Sequence, residues 1–177
     1  MIPGLIRLTD DYNFKYFNCE DSDLNDFFLN EAKSYQKSLL AVTYILETNG
    51  EIVGFFCVSN DRICAEDASV KSRWRRVKDS LPFPKRRSSY PAVKIGRFAI
   101  NKKFQTGGFG SRLMNTIKYS FVIGNKTGCR FIIVDAYTRS INFYEKNGFI
   151  ELPTDGSSRN SKTKLMYFDL GVFSQMN

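Results

Sequence analysis

Along this chain the apolar positions switch between a spacing of two and a spacing near 3.6, and the switches mark out strands and helices. Leu5 to Thr9 reads as a short strand. Asp21-Ser22-Asp23 then supplies capping side chains for a helix, with Leu24, Phe27, Phe28, Ala32 and Tyr35 on one face and acids and amides opposite. Ala41 to Thr48 and Ile52 to Ser59 are β-rich runs. Asn49-Gly50 between them predicts a hairpin, because both residues tolerate the positive φ of a tight turn. Residues 60–91 are irregular: Ile63 to Val70 and Arg73 to Ser80 predict short helices, and Pro82, Pro84 and Pro91 break the stretch after residue 80. Ala92 to Ile100 is the next strand. The loop Asn101 to Gly107 leads into a helix from Gly108 to Lys126, with Leu113, Met114, Ile117 and Phe121 as its buried stripe and Gly128 closing it. Phe131 to Ala136 reads as an apolar strand, Arg139 to Asn147 as a short helix stopped by Gly148. Phe149 to Leu152 and Lys164 to Asp169 are late strands. A hairpin followed by strand–helix–strand–helix–strand is a mixed-sheet α/β or α+β layout.

Composition narrows the class. The 177 residues, 42% of them hydrophobic, suffice for one packed domain over 1–177, with no repeat, low-complexity tract or long linker. No signal peptide is evident at the start, and the longest apolar runs, such as Tyr119 to Ile123, are too short to span a bilayer. Cys19, Cys57, Cys64 and Cys129 lack any C-x-x-C pairing, so they read as small hydrophobes in a reducing cytoplasm rather than as zinc ligands or disulfides. The chain has no histidine. That excludes Ser-His and Cys-His machinery, and no metal site is expected.

Charge is unevenly placed. Residues 1–70 hold 5 basic and 12 acidic groups, residues 71–103 hold 12 and 1, and residues 104–177 hold 9 and 5, within an overall +8. The middle segment suits an anionic partner, coenzyme phosphates or nucleic acid, although a solvated basic loop has the same composition.

The strongest local signal is Gln105-Thr106-Gly107-Gly108-Phe109-Gly110, between a strand and an amphipathic helix. Glycines there let the backbone approach a ligand closely. The helix start offers unpaired N–H groups and about half a positive charge, a seat for a diphosphate. A dinucleotide fingerprint would need a third Gly where Leu113 stands, and Gly124-Asn125-Lys126-Thr127 lacks the spacing of a P-loop. Taken alone, such a cluster is more often a turn than a site.

Order along the chain adds to this. The loop resembles the acetyl-CoA loop Q/R-x-x-G-x-G/A of the GNAT family, the Gcn5-related N-acetyltransferases, through Gln105, Gly108 and Gly110. It follows the strand Ile95-Gly96-Arg97-Phe98-Ala99-Ile100. Some thirty residues later, Phe143-Tyr144-Glu145-Lys146-Asn147-Gly148-Phe149 is similar to the family's F-Y-x-x-x-G-F ending. The resemblance spans roughly Leu5 to Leu170 and implies a mixed, mostly antiparallel central sheet flanked by helices. One departure is Tyr137, where many members carry Asn seven residues before the Tyr. The resemblance further implies that acetyl-CoA is the cosubstrate. Backbone groups of Phe98, Ala99 and Ile100 would pair with its pantetheine arm, and N–H groups from Gln105 through Thr106, Gly107, Gly108, Phe109, Gly110 and Ser111 would hold its diphosphate. Tyr144 matches the tyrosine assigned as general acid. The chemistry agrees: when an amine attacks a thioester, the departing thiolate gains from a nearby proton donor, worth roughly 10²–10⁴-fold. In an apolar helix beside Phe143, Tyr144 is otherwise a core residue. Asp135 and Glu151 are candidate bases, each with an alternative structural role. The absence of an evident base points to an amine of low basicity, such as an α-amine (pKa ~8) rather than a lysine (~10.4).

Within the family the chain is similar to the acetyltransferase toxins that acetylate aminoacyl-tRNA. The shared features are Phe17-Asn18-Cys19-Glu20, Leu24-Asn25-Asp26-Phe27-Phe28, the strand Gly96 to Ile100 and the basic stretch before it. Glu20 and Asn25 depart from the subgroup's usual F-x-C-G and L-D. The cluster Lys71, Arg73, Arg75, Arg76, Lys78, Lys85, Arg86 and Arg87 would neutralise several phosphates. Trp74 and Tyr90 would stack on exposed bases, with burial of Trp74 at least as open. A cationic face disfavours polyamine and aminoglycoside acceptors. Three readings stand: the α-amine of an aminoacyl-tRNA as acceptor; a small-metabolite or protein amine; and a non-catalytic CoA- or RNA-binding module. The toxin resemblance also brings in an antitoxin protein as partner and leaves a homodimer open.

Overall fold

A computed structural model describes residues 4–68, 71–79, 81, 87–123, 127–152 and 162–174, apart from the side chains of Glu66, Ser72, Arg73, Phe173 and Ser174. Seven strands form one sheet in the order β1-β2-β3-β4-β5-β7-β6. They are β1 (Leu5–Arg7), β2 (Val42–Thr48), β3 (Glu51–Cys64), β4 (Ser89–Ile100), β5 (Phe131–Tyr137), β6 (Ile150–Glu151) and β7 (Thr163–Asp169). The β4–β5 pair is parallel, over Ala92↔Phe131 to Lys94↔Ile133. The pairs β1–β2, β2–β3, β5–β7 and β6–β7 are antiparallel. The sheet is thus mixed and mostly antiparallel, with helices against it, as expected. The described residues cluster into two compact units, Met1–Ser59 with Ile95–Tyr119, and Asn60–Lys94 with Ser120–Asn177.

In the first unit, α1 (Ser22–Asp26), a π turn (Phe27–Glu31) and α2 (Ala32–Lys37) form one helical run. Asp21 caps it by accepting the Leu24 N–H at 3.1 Å, worth ~1 kcal/mol. The π turn, in which Ala32 N–H reaches back to the Phe27 carbonyl, lets Phe27, Phe28 and Ala32 all turn inward. Phe28 stacks on Phe55 at 4.3 Å, and Phe17 meets both edge-on. Each such buried ring contributes about 2–3 kcal/mol through the area it removes from water. Asn49-Gly50 makes the β2–β3 turn with φ of 48° and 78°, the left-handed pair that a two-residue hairpin requires.

In the second unit, α3 (Lys71–Asp79) lays Trp74 and Val77 into a core with Ile63, Tyr90, Phe131 and Leu165. Short α5 (Ile141–Lys146) and α6 (Gly171–Ser174) complete it, and α4 (Phe109–Val122) runs from the first unit into the second.

Two expectations need correction. The described part of the Ile63 to Val70 segment, up to Ala68, is not a helix: β3 runs on through Cys64, and Ala65–Asp67 is a single 3₁₀ turn, because Ile63 is wholly buried in a sheet core. Trp74 and Tyr90 are not stacking platforms, since each is only 8% exposed. Lys85, Arg86 and the residues Gly124 to Lys126 lie outside the described set, as does the side chain of Arg73.

Candidate active site

The glycine loop is built in layers from the end of β4. Asn101, itself buried, accepts the N–H of Lys103 and so starts a 3₁₀ turn over Lys102–Gly107. Its Nδ2 donates to the Ile52 carbonyl at 3.1 Å, and its backbone N–H donates to Val53 at 2.9 Å. The turn is therefore pinned to β3 at its root. Gly108 then takes φ +71°, and a Cβ there would meet nothing within 4 Å. The residue is glycine for its backbone angle, and the space above it is open. Helix α4 follows. Its Arg112 N–H donates to the Gly108 carbonyl at 3.2 Å, and the amides of Phe109, Gly110 and Ser111, in the first turn, have no carbonyl of α4 itself to pair with. Gln105 to Gly108 and Ser111 are exposed, Phe109 and Gly110 half-buried.

Cations gather here. Lys102 pairs with Glu20 at 2.6 Å and Lys103 with Glu51 at 2.7 Å. Arg112 lies on the first turn of α4, 5.3 Å above the Phe109 ring, and no motif in the sequence singles it out. Gln105 faces inward: its Nε2 donates to the carbonyls of Cys19 at 3.2 Å and Ile100 at 3.1 Å. Its side chain fixes the loop instead of reaching for a ligand.

Phe98 is half-buried and Ala99 and Ile100 are buried at the end of β4. Gly54 of β3 faces them so closely that a Cβ would stand 2.6 Å from the Ala99 carbonyl oxygen. Sequence reasoning misses this glycine. A single Gly within a β-rich run is its only signal.

Tyr144 sits on α5 and is 6% exposed, edge-on to Phe143 at 5.2 Å and Phe149 at 5.4 Å. The Gly148 turn, φ +78°, returns the chain so that Phe149 N–H donates to the Tyr144 carbonyl at 3.0 Å. That closure explains why the F-Y-x-x-x-G-F pattern is spaced as it is. Burial pushes the phenol well above its usual range, so it keeps its proton throughout neutral pH. A proton donor must be in that state.

The other candidates are occupied structurally. Asp135 is paired with Lys94 at 2.7 Å and Glu151 with Lys164 at 3.1 Å. Burial raises the Cys57 thiol to about 11 and also raises Cys129, leaving both poor nucleophiles. Among the described residues no group of three or more Cys, Asp or Glu could hold a metal. No described helix is long and apolar enough to cross a membrane.

A strand leading into a buried-asparagine turn, a left-handed glycine and a helix start, followed by the tyrosine helix, is the pattern of an acyl-CoA-dependent N-acetyltransferase. The model of the acetyltransferase (GNAT) domain matches residues 40–151, and the chain belongs to that family, using acetyl-CoA as its cosubstrate. Among individual proteins, it is 24% identical over 151 residues to a tRNA-acetylating toxin of Mycobacterium tuberculosis, covering 84% of this chain and 85% of the toxin. Solved structures share the fold. A tyrosine-to-phenylalanine mutant of KacT has a TM-score of 0.77 at 19% identity, covering 98% of both chains. AtaT complexed with acetyl-methionyl-tRNAfMet has a TM-score of 0.72 at 21% identity, covering 97% of both.

Proposed function

We propose that this enzyme transfers the acetyl group to the α-amine of an aminoacyl-tRNA, as a toxin held in check by an antitoxin protein. The observation that carries the reading is the outer face of α3. Trp74 and Val77 anchor the helix inward, so Lys71, Arg75 and Arg76 are presented to solvent within a segment holding 12 basic groups and 1 acidic one. A row of cations on a fixed helix suits a phosphate backbone. The relatives support the same reading, since one is a tRNA-acetylating toxin and another is solved with an acetylated aminoacyl-tRNA. AtaT is also solved with the C-terminus of its antitoxin AtaR. We place the enzyme in the cytoplasm, where charged tRNA and acetyl-CoA meet and where free cysteines stay reduced. We treat residues 1–177 as one catalytic domain.

In this mechanism the peptide groups of Phe98, Ala99 and Ile100 hold the pantetheine arm as an added strand. The amides from Gln105 to Ser111 hold the diphosphate. The neutral amine attacks the thioester carbonyl, the C–S bond breaks, and the phenol of Tyr144 protonates the departing thiolate. The proton shed by the amine goes to water, which restores the phenol. An α-amine is suited to this arrangement, because about one amine in ten is already neutral near pH 7.

The test supplies labelled acetyl-CoA with total charged tRNA, and in parallel with small amines and peptides. Label retained on tRNA, and lost when the aminoacyl ester is hydrolysed, supports the reading. Transfer to small amines or peptides alone overturns the acceptor assignment. Replacing Tyr144 by Phe should lower transfer roughly 10²–10⁴-fold without weakening acetyl-CoA binding; an unaffected rate removes Tyr144 from the mechanism.

A further inference from the structure

The early segment Asn18 to Asn25, 80 or so residues before the glycine loop, touches that loop at Lys102 and Gln105. The Asn18 carbonyl accepts the Lys102 N–H at 2.8 Å. The Cys19 carbonyl accepts Gln105 Nε2 at 3.2 Å. The Glu20 carboxylate holds the Lys102 ammonium at 2.6 Å. The segment that makes these contacts is itself organised by one side chain. Asn25 Oδ1 accepts both the Cys19 N–H at 2.9 Å and the Cys19 thiol at 3.2 Å, and Asn25 Nδ2 donates to Asn18 Oδ1 at 3.1 Å. Asn18 Oδ1 also accepts the Glu20 N–H at 2.8 Å, which supports Glu20 in a left-handed backbone conformation, φ 66°.

We infer that Asn25 is a positioning residue for cofactor binding: through Asn18, Cys19 and Glu20 it clasps the diphosphate-binding loop at Lys102 and Gln105. Glu20 points the same way. A left-handed conformation is costly for a residue with a side chain, and an ion pair half open to water returns little stability. The ion pair with Lys102 alone does not offset that conformation. The conformation does direct a carboxylate onto the first residue of the loop. An Asp at position 25 would keep an acceptor for the Cys19 N–H that Asn25 Oδ1 now holds at 2.9 Å, but not the donor that Asn25 offers to Asn18 Oδ1. The clasp acts on the loop's geometry, not on the chemistry, so its loss is felt in acetyl-CoA binding.

The inference rests on the glycine loop being the acetyl-CoA site, and the experiment separates the two. Steady-state transfer is measured against acetyl-CoA concentration for the native enzyme, Asn25→Leu, Asn25→Asp and Glu20→Gln, with hydrogen exchange of residues 102–108 followed in each. Asn25→Leu should raise the acetyl-CoA KM roughly tenfold, the scale of a displaced binding group, with kcat within about twofold and faster exchange in the loop. Asn25→Asp, which keeps the acceptor for Cys19 but loses the donor to Asn18 Oδ1, should recover part of that affinity. Should Asn25→Leu not fold, Glu20→Gln carries the test through faster exchange at Lys102 and a KM raised about threefold. An unchanged KM and exchange in the folded variants, or equal defects in the Leu and Asp variants, overturns the clasp. Failure of acetyl-CoA to protect residues 102–111 from exchange in the native enzyme overturns the cofactor site instead.

Discussion

Replacing Gly54 by Ala tests how closely β3 and β4 are held where the cofactor arm is proposed to lie. The added Cβ would stand 2.6 Å from the Ala99 carbonyl oxygen and 2.7 Å from Ile100 Cδ1. The Ile100 methyl can rotate aside; the carbonyl oxygen cannot, because it belongs to a strand backbone. Ordinary carbon–oxygen contact requires the strands to separate by on the order of 1 Å. Such overpacking costs about 1–3 kcal/mol, and the smaller unfolded-state entropy of Ala returns ~0.4–1 kcal/mol. The net loss is about 1.3 kcal/mol, or roughly 3–5 °C of Tm for a chain of this length. Because Ala99 and Ile100 move with the strand, the acetyl-CoA KM should rise severalfold as well. Thermal unfolding together with acetyl-CoA titration is the assay. Gly50→Ala is the reference: nothing lies within 4 Å of a Cβ there, so it should lose only the ~1 kcal/mol of a left-handed alanine. A Gly54→Ala variant melting within a degree of the native protein, with unchanged KM, would refute the close-approach argument.

Other outcomes are expected. Gly108→Ala places a side chain at φ +71° in open space, so stability should fall by only ~1 kcal/mol while acetyl-CoA binding, followed by calorimetry, falls at least tenfold; intact binding would show that the space above residue 108 is not the diphosphate seat. Reversing charge at Arg75 and Arg76 together should weaken binding of charged tRNA and lower the slope of log affinity against log salt by about two, leaving acetyl-CoA binding unmoved. Leu39 is 92% exposed and left-handed at φ 58°, so Leu39→Gly should stabilise by about 1 kcal/mol, read as a Tm raised by a few degrees; a lower Tm would contradict it. Lys118 is 3% exposed, and burial lowers its pKa to about 8. Between pH 8 and about 10.4 the unfolded chain therefore holds more protons at this site, so its contribution to stability rises with pH across that window and is flat below it. Lys118→Met should remove that rise in denaturant titrations.

Much of this fold is legible in local pattern. The Asn49-Gly50 hairpin, the capped helix at Asp21, the amphipathic α4 and the Gly148 closure each follow from constraints reaching only a few residues along the chain. The glycine loop and the tyrosine helix are readable for the same reason: the left-handed angles at 108 and 148 favour glycine through sterics local to those residues. Membership in the acetyltransferase family is written in those local motifs, in order and at the right separation.

Tertiary structure decided the rest, because the forces involved join residues far apart in sequence. The burial of Ile63 against Phe131 and Leu165 extended β3 where local pattern favoured a helix. The same core took Trp74 and Tyr90 out of solvent, which removes them as base-stacking surfaces and leaves the outward cations of α3. Gly54 looks like an ordinary glycine in a strand until Ala99 is set against it. Asn25, Cys19 and Gln105 look unrelated until folding brings them within hydrogen-bonding reach. A short polar side chain carries no record of its partner in its own neighbourhood of the chain, since direction and distance between such groups exist only once the backbone is fixed.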